Sequence, residues 1–241
     1  MTYGRLITWP TLNMKRASLE ELAALDPREV PLYWLSEVAL YTGVAAGTLK
    51  YWTQHTKQHP PLIRPPADPL QQRHSELRLS FSNLLEAHIL CATKERKIPL
   101  ARVRKGLLYL QEQSGEKSHP LLTYSFYSVR GSRDVFVRTL EGEPVNVSRH
   151  GQGGLATVLD DYLKRIEWDQ SGPIRVVPIR SNRVIIDLNV SGGRPVIRGT
   201  GVLASMLASR WQAGDSYEDL ARGYRLPVED VREAVRYIHA A

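Results

Sequence analysis

NVSGGRPVIRGTG, residues Asn189 to Gly201, writes a turn, a short strand and a second turn in thirteen residues. Ser191-Gly192-Gly193 leads into the apolar strand Pro195-Val196-Ile197, and Arg198-Gly199-Thr200-Gly201 turns the chain again. Glycine accepts the positive φ angles that tight turns require, so the segment specifies backbone geometry and carries no catalytic group. Upstream, Val184 to Leu188 reads as a strand. Downstream, three helical patterns follow. The first has Leu203, Met206, Leu207 and Trp211 on an inner face and stops at Gly214. The second starts from Ser216 as cap, with Asp219 three residues on. The third opens with Pro227 and buries Val228, Val231, Val235 and Ile238 at helical spacing, leaving Glu229, Arg232, Glu233 and Arg236 outward. Residues 183–241 hold eight arginines against seven acidic residues, a balance that suits a protein partner better than a phosphate backbone.

The whole chain is more basic: net charge +7 over 241 residues, which favours a polyanionic partner. A single cysteine, Cys91, excludes an internal disulfide and argues against a thiolate metal site. No apolar run approaches the roughly 20 residues needed to span a bilayer. The first residues also lack the apolar core of a secretion signal. A cytoplasmic protein that does not enter membranes is the expectation.

The excess positive charge has a candidate purpose between Leu32 and Trp52, LYWLSEVALYTGVAAGTLKYW. Ser36 can cap a first helix containing Val38 and Ala39, Thr42-Gly43 supplies a break, and a second helix runs from about Ala45 to Thr56. Ala45, Leu49 and Trp52 share its inward face, so Gly47, Thr48, Lys50, Tyr51 and Gln54 look outward. Two short helices about a glycine turn, the second presenting hydroxyl and basic side chains, form a helix-turn-helix pattern. The same pattern also fits a helical hairpin inside an all-α core.

Residues 59–80 are loop-like, with Arg64, Arg73, His74 and Arg78. A helix from Phe81 to Thr93 follows, with Phe81, Leu84, Leu85, His88, Ile89 and Ala92 on one face. Another follows Pro99, with Val103, Leu107 and Leu110 inside and Arg102, Arg104 and Lys105 outside. The period then changes to two: Tyr124 to Val137 flank Arg130-Gly131-Ser132-Arg133 as a hairpin. A helix at about 155–166 and a strand from Ile174 to Ile179 complete the middle. A short helical pattern at Ser18 to Leu25 reads as an N-terminal arm or packing helix.

Two stretches resemble known families. Leu32 to Trp52 looks like the start of MerR-like winged helix-turn-helix domains, matching at Ser36, Val38, Ala39, Gly43, Val44, Thr48, Leu49, Tyr51 and Trp52. It departs at Lys50, where arginine is usual, which exchanges a bidentate donor for a point charge. LSFSNLLEAHIL and KIPLARVRKGLLYL resemble the helices that follow the wing in that group, which extends the resemblance over residues 32–110. The cysteine metal site and long coiled coil of many effector-sensing members are missing. Val184 to Ile238, with Asp187, Gly192-Gly193-Arg194-Pro195, Gly199-Thr200, Gly214, Ser216, Asp230 and Val231, resembles the antitoxin-like family of domain of unknown function 433. That family has a trihelical, homeodomain-like fold and is grouped with VapB-type antitoxins. The chain departs at Gly201-Val202, where Arg-Ile is usual.

The expected fold is therefore α+β and mainly helical: an arm (1–30), a MerR-like winged helix-turn-helix domain (31–118), a small α+β middle region (119–180) and an antitoxin-like trihelical domain (181–241). No enzyme emerges. His55 and His59 have metal-ligand spacing, but Pro60-Pro61 ends the helix and no carboxylate completes a set. His88 and Cys91 suit a core, and Gly151-Gln152-Gly153-Gly154 lacks the endings of a phosphate loop. No metal or cofactor is expected. The second resemblance implies the antitoxin of a type II toxin–antitoxin pair, neutralising a PIN-domain (VapC-type) ribonuclease toxin and repressing its own operator. Arg194 and Arg198 are the candidate toxin contacts, because an arginine fork opposite carboxylates is a strong charge-assisted contact. Thr48, Lys50, Tyr51 and Gln54 are the candidate groove contacts, with Arg73 and Arg78 on phosphate and a homodimer expected from operator symmetry. The alternative is a stand-alone MerR-like transcription regulator whose C-terminal domain only dimerises.

Overall fold

The computed structural model describes residues 26–55, 59–66, 77–95, 97, 99–114, 119–123, 125–127, 136–138, 145–146, 152–153 and 164–239. The Ser18–Leu25 pattern, Arg73, His74, the Arg130–Arg133 turn and residues 155–163 of the expected helix lie outside them. The fold is mixed helix and strand.

Strand β1 (Tyr33–Trp34) pairs antiparallel with β2 (Arg78–Leu79). This pairing keeps Trp34 extended, so helix α1 (Leu35–Thr42) starts one residue before the expected cap, Ser36, which lies exposed in its first turn. The start is secured by Glu37, whose Oε2 accepts the Trp34 backbone N–H at 2.9 Å. Gly43 ends α1 as expected, with φ 72° and its N–H on the Ala39 carbonyl at 2.9 Å. Helix α2 (Ala46–Thr53) buries Leu49 and Trp52 completely. Ala45 is exposed at the cap position and not inward, because the helix starts after it. The helix also stops before Thr56: Gln54 is extended, and the Trp52 carbonyl accepts the N–H groups of Leu62 and Ile63 at 2.8 and 3.0 Å. The returning chain thus closes the helix end.

Helix α3 (Phe81–Glu95) is the centre of this half. Phe81 through Thr93 are buried all round, where periodicity predicted one apolar face. Its polar residues find partners: Ser80 and Asn83 cap reciprocally (Ser80 N–H to Asn83 Oδ1 and Asn83 N–H to Ser80 Oγ, each 3.2 Å), and Asn83 Nδ2 donates to the Arg64 carbonyl at 2.9 Å. Helix α4 (Leu100–Ser114) buries Val103 and half-buries Leu107. Helix α5 (Pro120–Thr123) is preceded by His119, which sits between Glu29 (Nε2 to Oε2, 2.6 Å) and the fully buried Glu86 (Nδ1 to Oε2, 3.1 Å). Burial opposes charge on this imidazole, but hydrogen bonds to the two carboxylates outweigh it and bring its pKa up to about 9.

Strands β3 (Ser125–Tyr127) and β4 (Phe136–Arg138) form the expected hairpin, with Phe126 opposite Val137. Strands β5 (Val145–Asn146) and β6 (Gln152–Gly153) continue that antiparallel sheet. A second four-stranded sheet contains β7 (Ile166–Asp169), β8 (Gly172–Val176), β9 (Val184–Asp187) and β10 (Pro195–Ile197), adjacent in chain order. Strand β7 was not expected, and Ile166 is in a strand where the pattern predicted the end of a helix. The cause is local. Asp169 Oδ1 accepts from Ser171 N (2.7 Å), Ser171 Oγ (2.6 Å) and Gly172 N (3.0 Å), making Asp169-Gln170-Ser171-Gly172 a hairpin turn. Strand β8 stops short of Ile179 because Pro178 has no N–H to continue the ladder.

Helices α6 (Ala204–Gln212), α7 (Tyr217–Tyr224) and α8 (Val228–His239) pack as a three-helix unit. Ser216 caps α7 as expected, accepting from Asp219 N at 3.0 Å. Trp211 is not on the inner face. It is 38% exposed and lies against Tyr217 and His239 at the open end of the helix core. Glu233 is buried, not outward, in an ion pair with Arg236.

Strand β9, buried at every position, joins the two halves. Ile186 packs into the core built on α1 to α5, together with Ile166 and Val176, whereas Val184 and Ile197 pack into the core of α6 to α8. No helix among the described residues is long and apolar enough to cross a membrane.

Candidate nucleic-acid and partner surfaces

The candidate groove contacts of α2 come together. On α2, Lys50 and Tyr51 are exposed, Thr48 is half-buried, and Gln54 is exposed immediately beyond the helix. Leu49 and Trp52 anchor the helix from below, so this surface is held by core packing. Tyr51, 45% exposed, has the Arg104 guanidinium 5.4 Å from its ring centre. Arg104 itself is not on the outer face of α4. It is buried and donates through Nη1 to the Pro60 carbonyl at 2.6 Å, which ties α4 to the loop after α2. Its long stem crosses apolar surface and its fork finds a carbonyl, an outcome that helical periodicity does not reveal. Arg78 is half-buried, with its guanidinium 5.5 Å from the Trp34 ring centre. Arg73 lies outside the described residues.

The two candidate toxin contacts have different surroundings. The first turn places Gly192 and Gly193 at φ 62° and 74°. There the Gly193 carbonyl accepts the Tyr33 Oη–H at 2.8 Å, and a Cβ on Gly193 would collide with that same hydroxyl. Next to it, Arg194 Nη1 meets Glu37 Oε1 at 2.5 Å, the carboxylate that also caps α1. Burial works against the Arg194 charge, but the Glu37 hydrogen bond keeps its pKa above the usual value. A third link, Tyr237 Oη–H to the Tyr41 carbonyl at 2.8 Å, joins α8 to α1. These contacts bind the glycine turn before β10 to β1 and to the first turn of α1, and α8 to the end of α1. Tyr33 and Tyr237 were absent from the sequence reading, since a tyrosine at an apolar position gives no sign of what its hydroxyl reaches.

Arg198, after β10, is exposed, and among the described residues its guanidinium makes no ion pair. It stands at the edge of an open cavity of about 560 Å³ lined by Gly199, Thr200 and Gly201 and by Glu167, Arg175 and Asp187 of the sheet. Arg175 bridges the two carboxylates there, reaching Asp187 at 2.6 Å and Glu167 at 2.5 Å. Among the described residues Arg198 is thus a cation of this cavity without an ion-pair partner. Among the described residues no group of histidine, cysteine and carboxylate side chains could hold a metal ion.

Across 88% of its length the chain is 26% identical to 95% of a Mycobacterium tuberculosis protein named "Putative antitoxin VapB45". Across 92% it is 26% identical to 94% of the M. tuberculosis protein named "Uncharacterized protein Rv2308". Its fold is similar to the crystal structure of Rv2018 from M. tuberculosis, with a TM-score of 0.60 and 23% identity, covering 87% of this chain and all of that one. Residues 184–238, from strand β9 through helix α8, match the family described as "Protein of unknown function (DUF433)".

Proposed function

We propose that this chain is the antitoxin of a type II toxin–antitoxin pair, which neutralises a PIN-domain ribonuclease toxin and represses its own operator as a homodimer. The observation that carries this reading is the similarity, over nearly the full length of each chain, to the protein named as an antitoxin. The family match over 184–238 supports it. The α2 surface of Thr48, Lys50, Tyr51 and Gln54 is the DNA-reading face, with Arg78 and Arg73 toward phosphate. Toxin contact falls to Arg198 first, since its guanidinium is uncommitted, whereas Arg194 must leave Glu37 before it can serve a toxin.

Co-expression with the product of the neighbouring reading frame tests the proposal. The two should co-purify, and the complex should lack the ribonuclease activity of the neighbour alone. Undiminished ribonuclease activity in the presence of the chain refutes neutralisation. If the chain then still shifts its promoter DNA, the stand-alone regulator is the correct reading.

A further inference from the structure

Helix α2 carries two aromatic side chains, and they are used in opposite ways. Trp52 is completely buried, whereas the Tyr51 ring is 45% exposed and its hydroxyl has no hydrogen-bond partner among the described residues. An exposed tyrosine exchanges among rotamers, and fixing such a side chain on a ligand lowers affinity by roughly twofold to tenfold. Here the Arg104 guanidinium lies over the ring, 5.4 Å from its centre.

Backbone atoms fix where that guanidinium sits. Arg104 is buried, and its Nη1 donates to the Pro60 carbonyl at 2.6 Å. The same loop is tied to the end of α2 by the Leu62 and Ile63 N–H groups on the Trp52 carbonyl, at 2.8 and 3.0 Å. The phenol therefore packs on a cation that is already anchored. An apolar side chain at position 104 would cover the same surface without taking a charge out of water. What the guanidinium adds is attraction to the face of an aromatic ring that is otherwise open to solvent. Because Arg104 is buried, it offers little surface of its own to a ligand, and its effect on binding passes through Tyr51.

The charge of these two helices points to the ligand. Residues 94–105 hold Lys94, Arg96, Lys97, Arg102, Arg104 and Lys105 against Glu95 alone. Lys105, next to Arg104 in α4, and Lys50, next to Tyr51 in α2, are exposed, and among the described residues neither makes an ion pair. Surplus cations of this kind attract a phosphate backbone, and a phenol hydroxyl is a donor that phosphate oxygens accept.

We propose that Arg104 is a positioning residue for DNA binding: anchored on Pro60, it holds the Tyr51 ring so that the hydroxyl donates to a phosphate oxygen. The inference rests on the DNA-reading role of α2 proposed above and adds a residue that acts from behind the interface. The test is a double-mutant cycle by mobility-shift titration of the full chain against a duplex of its own promoter DNA. Arg104→Met should weaken binding about fivefold when Tyr51 is present and less than about twofold in a Tyr51→Ala background. Tyr51→Phe keeps the ring on Arg104 and removes the hydroxyl, so it should weaken binding about tenfold, with the salt slope unchanged because no charge is lost. Should Arg104→Met fail to fold by circular dichroism, Arg104→Lys completes the cycle. It keeps the charge but not the flat fork against the ring, and should also weaken binding only where Tyr51 is present. Equal losses in the two backgrounds make Arg104 merely structural and overturn the proposal, as does a Tyr51→Phe chain that binds like wild type. A wild-type chain that leaves the duplex unshifted overturns the DNA reading and this proposal with it, whereas binding with additive losses overturns this proposal alone.

Discussion

The contact between Arg194 and Glu37 makes a quantitative claim, that the first turn of α1 and the glycine turn before β10 stabilise one another. The pair is neither exposed nor sealed, with 42% of the arginine side chain and 21% of the glutamate accessible. Exposed pairs contribute about 0.2–1 kcal/mol, and breaking a fully buried one costs about 3–5 kcal/mol. A half-open pair of good geometry, screened on the arginine side, should show a coupling of about 1 kcal/mol. Arg194→Met keeps the stem and removes the fork, and Glu37→Gln keeps an oxygen for the Trp34 N–H. Each single variant should lose about 1–1.5 kcal/mol, and the double variant should lose less than the sum by about 1 kcal/mol. Urea unfolding measures the cycle, and the melting temperature should fall by about 2–4 °C per kcal/mol for a chain of this size. Losses that add to within about 0.3 kcal/mol would refute the coupling, and with it the claim that this turn is docked on α1.

Other outcomes follow from single contacts. Gly193→Ala adds a Cβ at φ 74° against the Tyr33 hydroxyl and should destabilise by at least about 1–2 kcal/mol, measured by urea unfolding, whereas Gly47→Ala, with open space around its Cβ, should not destabilise. Tyr237→Phe leaves the Tyr41 carbonyl without its buried donor and should cost about 1–1.5 kcal/mol in the same assay. The His119 pKa is raised in the folded chain to about 9, above the roughly 6.5 of an unfolded histidine. Its stabilisation is therefore complete below pH 6.5 and lost as pH rises toward 9, and a melting series should show the loss in wild type and not in His119→Gln. Lys50→Ala should weaken operator binding and reduce the salt slope by about 0.9, and an unchanged mobility-shift titration would remove Lys50 from the interface.

Local chemistry was legible in the sequence wherever one residue dictates it. Gly43 stops α1, Ser216 starts α7, Pro195-Val196-Ile197 is a strand, and Leu49 and Trp52 are the buried side of α2. One departure has a local signal, the Asp-x-Ser-Gly turn behind β7, and the start of α3, expected at Phe81, is fixed by a Ser-x-x-Asn cap. Other departures have none. Arg104 and Glu233 occupy outward helical positions, yet Arg104 is buried on the Pro60 carbonyl and Glu233 is buried although its partner Arg236 stays exposed.

The sequence by itself determined the element ends that one residue dictates, such as those at Gly43 and Ser216, because φ preference, capping and apolar period act over a few residues. It also set the near-neutral C-terminal surface against a basic whole, which is a matter of composition. Only the tertiary structure decided how the candidate residues are employed. Arg194 and Arg198 flank one three-residue strand, but Glu37, far away in the chain, holds the first and nothing described holds the second. Trp211 has the spacing of a core residue and lies outside because Tyr217 and His239 meet it at the end of the helix bundle. Such outcomes depend on which distant atoms arrive within about 3–4 Å, and sequence spacing along one element contains no record of that distance.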